Sequence, residues 1–146
     1  MAVTFTANYK DIFSAETVEK IEEFIEENYD LEAMITFIDE HNEEIFVHNY
    51  EEYVRMGEEI GYEAIDAYVA DYGFNHDFDT LDERYQGHYQ SEADFAEEYV
   101  SETLDERFPQ FVVIDWEATW DCNLRYDFTA VNDGSTYCPI HIFRDN

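Results

Sequence analysis

Basic residues are scarce in this sequence. Its 146 residues include only 7 Lys and Arg against 37 Asp and Glu, so the formal net charge at pH 7 is −30. Phosphate groups would repel such a chain, and we therefore expect no direct binding to nucleic acid. The expected partner is a protein with a large positive surface, and the clefts of nucleic-acid-binding proteins are the best-known surfaces of that kind.

The sequence also lacks the features of membrane and exported proteins. No run approaches the roughly 18 apolar residues of a membrane span. Residues 1–11 lack the basic and apolar regions of a signal peptide. The two cysteines, Cys122 and Cys138, are expected to be free thiols, as in a reducing compartment. These absences predict a cytoplasmic protein without a membrane partner.

The chain nevertheless has the composition of a folded protein. Apolar residues make up 45% of it and aromatic residues 18%, whereas disordered acidic segments are poor in both. Its charge far exceeds the magnitude of about 2 to 8 that keeps a small domain soluble. Because self-repulsion of this size opposes folding, the charge indicates a function. An acidic protein from a high-salt organism is the alternative explanation.

Charge and apolar periodicity together predict an α+β fold with three modules. Residues 1–50 contain 13 acidic and 2 basic residues, residues 51–106 contain 18 and 2, and residues 107–146 contain 6 and 3. The predicted modules are a β-α-β-β module at 1–49, an acidic helical module at 50–106, and a C-terminal α+β module at 107–146. Two copies could approach through the nearly neutral last module with the least repulsion. The side chains predicted to form this dimer contact are Phe111, Trp116, Trp120, Tyr137 and Phe143.

In the first module, alternating apolar residues predict a strand over 3–7, and Ser14 is predicted to cap the following helix. The predicted buried stripe of that helix is Val18, Ile21, Phe24, Ile25 and Tyr29. Residues 34–38 and 44–48 are predicted to form a hairpin around residues 40–42.

In the remaining chain, helix caps are predicted at Asn49, Thr80, Ser91 and Asp115, and helix ends at Gly73 and Gly87. Gly57 and Gly61 are expected to divide residues 50–72 into two helices. A short strand is predicted over 111–114. A closing hairpin is predicted from residues 126–131 and 137–143, with its turn at Asp133 and Gly134.

The helix faces opposite the apolar stripes are almost entirely acidic. Carboxylates four residues apart repel each other by about 0.2 to 0.5 kcal/mol per pair, so an unmixed face indicates selection for charge. Duplex DNA carries one charge per roughly 1.7 Å, so thirty charges match about 50 Å, or roughly 15 base pairs. The carboxylates predicted to stand for phosphates are Glu19, Glu22, Glu23, Glu26, Glu27, Glu58, Glu59, Glu63, Asp66, Asp71, Asp77, Asp79, Asp82, Glu92, Glu97, Glu98 and Glu102.

Motifs for catalysis are weak in this sequence. His76, Asp77 and Asp79 are possible metal ligands, but such a group arises by chance among so many acids. No zinc-protease, nucleophile-elbow or phosphate-loop pattern is present. We therefore predict no catalytic residue, no metal site and no cofactor. A hydrolase that uses two carboxylates stays open as an alternative.

Four blocks of the sequence stand out together: ERYQGHYQS at 83–91, ADFAEE at 93–98, IDWEAT at 114–119 and IFR at 142–144. In this order and spacing they resemble the ArdA antirestriction proteins of phages and mobile elements. The resemblance covers roughly residues 50–146. Residues 1–49 look shorter than the usual N-terminal domain of that family.

The resemblance implies a non-enzymatic inhibitor in the cytoplasm of a bacterial host. ArdA proteins are acidic mimics of bent duplex DNA that occupy the DNA-binding cleft of type I restriction-modification enzymes, usually as dimers. An acidic interaction protein or chaperone for another basic nucleic-acid-binding protein is the alternative, and a carboxylate or metal enzyme is a second one.

Overall fold

The computed structural model describes residues 9–104, 109 and 111–145. Within them, helices combine with a three-stranded antiparallel sheet, so the predicted α+β class is confirmed. Contacts divide the chain into two compact units, Met1–Val54 and Arg55–Asn146. The three-module division stays a prediction, and the elements below are described within these two units.

The first unit is helical in its described part. It contains α1 (Ala15–Glu26), α2 (Leu31–Glu40) and the beginning of α3 (Glu43–Ile60), which continues past Val54. Its core is an aromatic cluster formed by Phe24, Phe37, Phe46 and Tyr50, all of them buried. Neighbouring rings have centroids 5.0 to 6.3 Å apart, which is within the spacing of favourable aromatic pairs.

Short polar side chains begin these helices. The Ser14 hydroxyl accepts a hydrogen bond from the Thr17 N–H at 3.4 Å, which confirms the predicted cap of α1. The Glu43 carboxylate accepts bonds of 2.9 Å from the Ser14 N–H and from the Thr17 hydroxyl. The bond from the Ser14 N–H is the main reason that the pKa of Glu43 lies below its ordinary value. One carboxylate thus connects the beginnings of α1 and α3.

The hairpin predicted over residues 34–38 and 44–48 is wrong, because both segments are helical. Met34, Ile35, Phe37 and Ile38 are all buried, and this spacing is a helical stripe that a strand would split between two faces. Asn42 caps the next helix, since its side chain accepts the Ile45 N–H at 2.7 Å. The strand predicted over 3–7 lies outside the described residues.

The predicted stripe of α1 is only partly correct. Ile21 and Phe24 are buried, but Ile25 is 40% exposed, and Thr17 is buried although it was not predicted. The hydroxyl of Thr17 is satisfied by Glu43, which explains why a polar residue is tolerated there.

The two glycines at the end of α3 have different roles. Gly61, with φ +98°, separates α3 from α4 (Tyr62–Tyr72), as predicted. Gly57 lies inside α3 and does not interrupt it. The Tyr62 ring packs directly against Gly57 and leaves no room for a side chain there. A Cβ at Gly57 would lie 2.2 Å from the ring.

The second unit contains the sheet. After α4 come a 3₁₀ turn (Phe78–Thr80), α5 (Leu81–Arg84), β1 (Tyr85–Tyr89), α6 (Glu92–Ser101), α7 (Trp116–Cys122), a second 3₁₀ turn (Leu124–Tyr126), β2 (Phe128–Asn132) and β3 (Ile140–Arg144). The strand order is β1-β3-β2, and both pairs are antiparallel. The predicted C-terminal hairpin is confirmed by β2 and β3, with shorter strands than expected.

Alternate residues of the central strand β3 face two different sets of helices. Ile140 and Ile142 belong to a core with Phe95 of α6 and Trp120 of α7. On the other face, Phe143 packs against Tyr68 of α4, with ring centroids 5.4 Å apart. His141 shares this second face, and it is buried as well. The sheet therefore has α4 on one side and α6 with α7 on the other.

The helix caps at Ser91 and Asp115 and the helix end at Gly73 are confirmed. Asn49 lies inside α3, so the cap predicted there is wrong. Thr80 occupies the N-cap position of α5, as predicted, but its side chain makes no cap bond. Gly87 is part of β1, at a register shift with φ +122°, and does not end a helix. Residues 111–114 form no strand of the sheet and are exposed apart from Ile114.

Candidate functional site

The predicted phosphate-mimic residues are largely exposed. On α1 and just after it, Glu19, Glu22, Glu23, Glu26 and Glu27 are all exposed. In the second unit, the exposed members are Glu58, Glu59, Glu63, Asp66, Asp71, Asp79, Glu97, Glu98 and Glu102. The partly buried members are Asp77, Asp82 and Glu92. The other described Asp and Glu residues are also at least partly exposed, so carboxylates cover both units.

Asp82 is the member of this set that faces inward. Its side chain is only 9% exposed, and one oxygen lies 2.7 Å from Nη1 of Arg55. Burial alone would raise the pKa of Asp82, but the hydrogen bond and charge of Arg55 lower it. Arg55 also lies 3.7 Å from Glu59. Asp82 therefore fixes a side chain of its own unit and presents little charge to a partner.

Few bases neutralise the remaining carboxylates. Lys10 lies 3.5 Å from Glu22, and Lys20 lies 3.6 Å from Glu23; all four side chains are more than 40% exposed. Exposed pairs of this kind contribute about 0 to 1 kcal/mol. Even if every base paired with one acid, thirty acids would remain. Much of the surface is consequently negative without compensation.

Arg84 is a basic residue that does not neutralise the acidic surface, because it is buried. It is 4% exposed, and its guanidinium donates to the carbonyls of Arg144 at 2.6 Å and Asp77 at 3.3 Å and to the Thr80 hydroxyl at 3.1 Å. These neutral acceptors hold α5 against the end of β3. The charge of this guanidinium lies inside the second unit.

The residues predicted for a dimer contact lie in different environments. Phe111 is 87% exposed and Tyr137 is 77% exposed, while Trp116 is partly buried. Trp120 and Phe143 are 8% and 0% exposed, because they are part of the core of their own unit. Their side chains cannot form the predicted contact. Two exposed apolar residues that the sequence reasoning did not select are Val113, at 93%, and Tyr126, at 66%.

A network of polar side chains joins β1, β3 and the loop that follows β2; His141 is buried, and Tyr85 and Asp133 are partly buried. The Tyr85 hydroxyl and Nδ1 of His141 are 2.8 Å apart, and Nε2 of His141 is 2.8 Å from the Asp133 carboxylate. Burial raises the pKa of Tyr85 to about 12. Hydrogen bonds from Ser135, and next from His141, lower the pKa of Asp133 to about 2. Because this tyrosine stays protonated and this carboxylate stays ionised at neutral pH, the network is suited to holding β1, β3 and the loop after β2 together.

This network lines a cleft of about 720 Å³ between α4 and the loop that follows β2. Sequence reasoning identified Asp133 only as a turn residue and assigned no functional role to His141. The alternation of β3 could have shown that His141 points away from Ile140 and Ile142. Its partners come from distant parts of the chain, and only the fold brings them together.

The described residues contain neither an arranged metal site nor a membrane-spanning helix. Among them, no group of three or more His, Cys, Asp or Glu side chains is arranged to hold a metal ion. None of their helices combines the length and apolarity that crossing a membrane requires.

Comparison with known families matches residues 12–137 to the model of the antirestriction protein ArdA. The chain belongs to the ArdA family. The match begins well before the blocks that carry the resemblance, so it includes most of the first unit. No curated protein and no solved structure matches the chain. ArdA membership assigns it an antirestriction function, directed at restriction-modification systems.

The residues that carry the ArdA resemblance serve mainly to build the fold. Arg84 is the buried guanidinium, Tyr85 bonds to His141, and Ser91 and Asp115 cap α6 and α7. Phe95 lies in the core between α6 and the sheet. These residues of the ArdA blocks therefore support the scaffold, while Glu97 and Glu98 of the same blocks belong to the exposed acidic surface.

Proposed function

We propose that this ArdA protein inhibits type I restriction-modification enzymes by occupying their DNA-binding cleft as a mimic of duplex DNA. The observation that carries the proposal is the exposure of its carboxylates, since every described Asp and Glu is at least partly exposed. A DNA-binding cleft presents Lys and Arg side chains to phosphates. Carboxylates at a comparable density compete for the same side chains.

The mechanism is competition, with no bond made or broken. Most of the proposed carboxylates lie on helices, whose backbones fix their spacing, and aromatic cores such as the Phe24 cluster keep these helices in position. The affinity comes from neutralising the basic side chains of the target and releasing their counterions. This mechanism requires no cofactor, metal or catalytic residue.

We further infer that two copies act as a homodimer in the bacterial cytoplasm. The exposed apolar side chains of the nearly neutral segment 107–146 support this inference, and they include Phe111, Val113, Tyr126 and Tyr137. Trp120 and Phe143 are removed from the predicted contact because they are buried. Two copies carry about 60 charges, which correspond to roughly 30 base pairs of duplex.

Graded neutralisation of α6 tests the mimicry. Glu97→Gln, Glu98→Gln and Glu102→Gln, made singly and together, should weaken inhibition of a purified type I endonuclease step by step. Each exposed ion pair contributes about 0.2 to 1 kcal/mol, so each substitution should weaken inhibition by roughly 1.5- to 5-fold. Unlabelled duplex DNA should displace the protein, and binding should weaken as salt rises.

A charge-preserving control separates charge from shape. The triple Glu→Asp variant at the same positions keeps all three charges and should keep inhibition. The Gln variants should remain folded, because Glu97, Glu98 and Glu102 lie near the C-terminus of α6, where negative charge is unfavourable. Complete loss at a single residue, together with failure of DNA to compete, would contradict mimicry. Retention of another basic host protein by the tagged chain, with no type I enzyme bound, would favour the chaperone alternative.

A further inference from the structure

The cleft beside the Tyr85–His141–Asp133 network has the size of a ligand site. Its volume of about 720 Å³ falls within the range of about 300 to 1,000 Å³ that is typical of small-molecule pockets. It lies entirely within the second unit, with α4 on one side and β1 and the loop after β2 on the other. The cleft is therefore part of one compact body.

The α4 side of the cleft is an apolar surface that includes two small side chains. Ala67 and Ala70 line it, next to Ile60 at the end of α3. Their methyl groups leave space over the helix where larger side chains would fill it. An aliphatic chain placed there would cover apolar surface on both partners, which is favourable. This wall suits a ligand with a hydrocarbon stem.

Carboxylates approach the cleft from both sides. Glu63 and Asp66 are exposed on α4, and Asp133 belongs to the opposite loop. The side chain of Asp133 is only 12% exposed, and its neighbours His141 and Ser135 hold it in place. None of the described residues that line the cleft is Lys or Arg. A cation that enters the cleft thus meets three acidic side chains and, among the described lining residues, no competing Lys or Arg.

Aromatic rings complete the wall opposite α4. Tyr85 is fixed by its bond to His141 and by the Phe143 ring, whose centroid is 5.2 Å away. Tyr137 also lines the cleft, and it is 77% exposed. A planar cation can stack on rings of this kind, and guanidinium does so more readily than ammonium because it is flat and weakly hydrated.

We propose that this cleft binds an alkylguanidinium group, namely the side chain of an arginine that the partner protein presents. The stem would lie on Ala67 and Ala70, the guanidinium would stack on Tyr137, and Glu63 and Asp133 would accept its N–H groups. The identity of the partner rests on the proposed function, whereas the chemistry of the cleft does not. Free arginine-like molecules have the same chemistry and are the other source of such a ligand.

The direct test adds n-butylguanidinium as the probe to the ¹⁵N-labelled full chain in moderate salt. Its binding is detected by NMR. Saturable shifts should appear at amides around Glu63, Ala67, Asp133 and Tyr137, and n-butylammonium should bind more weakly. Glu63→Gln should weaken binding about tenfold, which is the effect of losing one hydrogen bond between charged groups. Probe shifts spread evenly over acidic surfaces, equal for both cations, would overturn the proposal.

A substitution that keeps the charge distinguishes binding in the cleft from general attraction of a cation to an acidic protein. Ala70→Leu fills the cleft at an exposed helical position, where Leu is a good helix former, so folding should be retained. It should abolish probe binding. The matched control Ala33→Leu makes the same change at an exposed site of α2, and it should leave probe binding unchanged. Equal binding by both variants would refute the cleft as the site.

Inhibition assays with these two variants identify the source of the ligand. If a partner arginine enters the cleft, Ala70→Leu should weaken inhibition of the type I enzyme relative to Ala33→Leu. If Ala70→Leu loses the probe but inhibits like the control, the partner arginine is refuted and the ligand is a free guanidinium compound. If the unmodified chain binds the probe but inhibits no type I enzyme, the proposed function fails while the cleft chemistry stands.

Discussion

The Asp133 carboxylate should make a measurable, pH-dependent contribution to stability. Its pKa of about 2 lies below the ordinary value of 3.8, because Ser135 and His141 hydrogen-bond to the ionised form. One pKa unit corresponds to about 1.4 kcal/mol, so this carboxylate stabilises the fold by no more than about 2 kcal/mol. The 12% exposure of the side chain means that solvent screens the interaction only moderately.

The sign of the effect follows from the lowered pKa. The contribution is fully present above the unfolded pKa of about 3.8, and it disappears as the pH falls from there through about 2. Asp133→Asn should therefore reduce the free energy of unfolding near neutral pH, and the gap to the unmodified chain should shrink by up to about 2 kcal/mol near pH 2. Acid also weakens the repulsion among carboxylates in both proteins. This shared effect cancels when the free energy of unfolding of one protein is subtracted from that of the other.

Urea unfolding followed by tryptophan fluorescence provides the assay. Both tryptophans, Trp116 and Trp120, belong to the same unit as Asp133, so the signal reports on the relevant structure. Asp71→Asn, which removes an exposed carboxylate of α4, is the matched control and should show no comparable gap. A gap between Asp133→Asn and the unmodified chain that is constant from neutral pH to about pH 2 would refute the reasoning.

Two further predictions concern the charge and the assembly. The melting temperature should rise with salt, because the Debye length falls from about 30 Å at 0.01 M to about 3 Å at 1 M and repulsion among carboxylates weakens; a flat or falling curve would mean that the acids are mostly paired. Sedimentation at micromolar concentration in moderate salt should show a dimer, and the double variant Phe111→Ser with Val113→Ser should sediment as a monomer. If the double variant is still a dimer, Phe111 and Val113 have no part in assembly.

The sequence predicted helices best where a cap and an apolar stripe agreed. Ser14, Ser91 and Asp115 all cap helices, because a short side chain bonds locally to the backbone that follows it. The error over residues 34–48 arose because short apolar segments fit a strand as well as a helix. Burial of Met34, Ile35, Phe37 and Ile38 together decided for the helix, and tertiary packing alone supplies that information.

The candidate site was predictable to different degrees. Exposure of acids such as Glu97 and Glu98 follows from charge alone, since burying an unpaired carboxylate is costly. The inward position of Asp82 depends on Arg55, which lies 27 residues away in the sequence. Trp120 and Phe143 were predicted to meet a second copy because they are aromatic and lie in a neutral segment. The sheet and its helices use them internally, and the sequence pattern could not separate these two uses.

Residues of the interior have particular bonding partners, whereas exposed acidic residues contribute mainly charge, and the two groups should therefore evolve differently. Arg84, Tyr85 and Ser91 have particular bonding partners, so few replacements at these positions would be tolerated. An exposed glutamate on α1 or α6 contributes mainly its charge, and a neighbouring position on the same face could supply it equally well. Acidic positions can then exchange among lineages while total charge is maintained. Descendants of a common ancestor would share core residues and turns, and they would differ in the arrangement of carboxylates that each presents to its host.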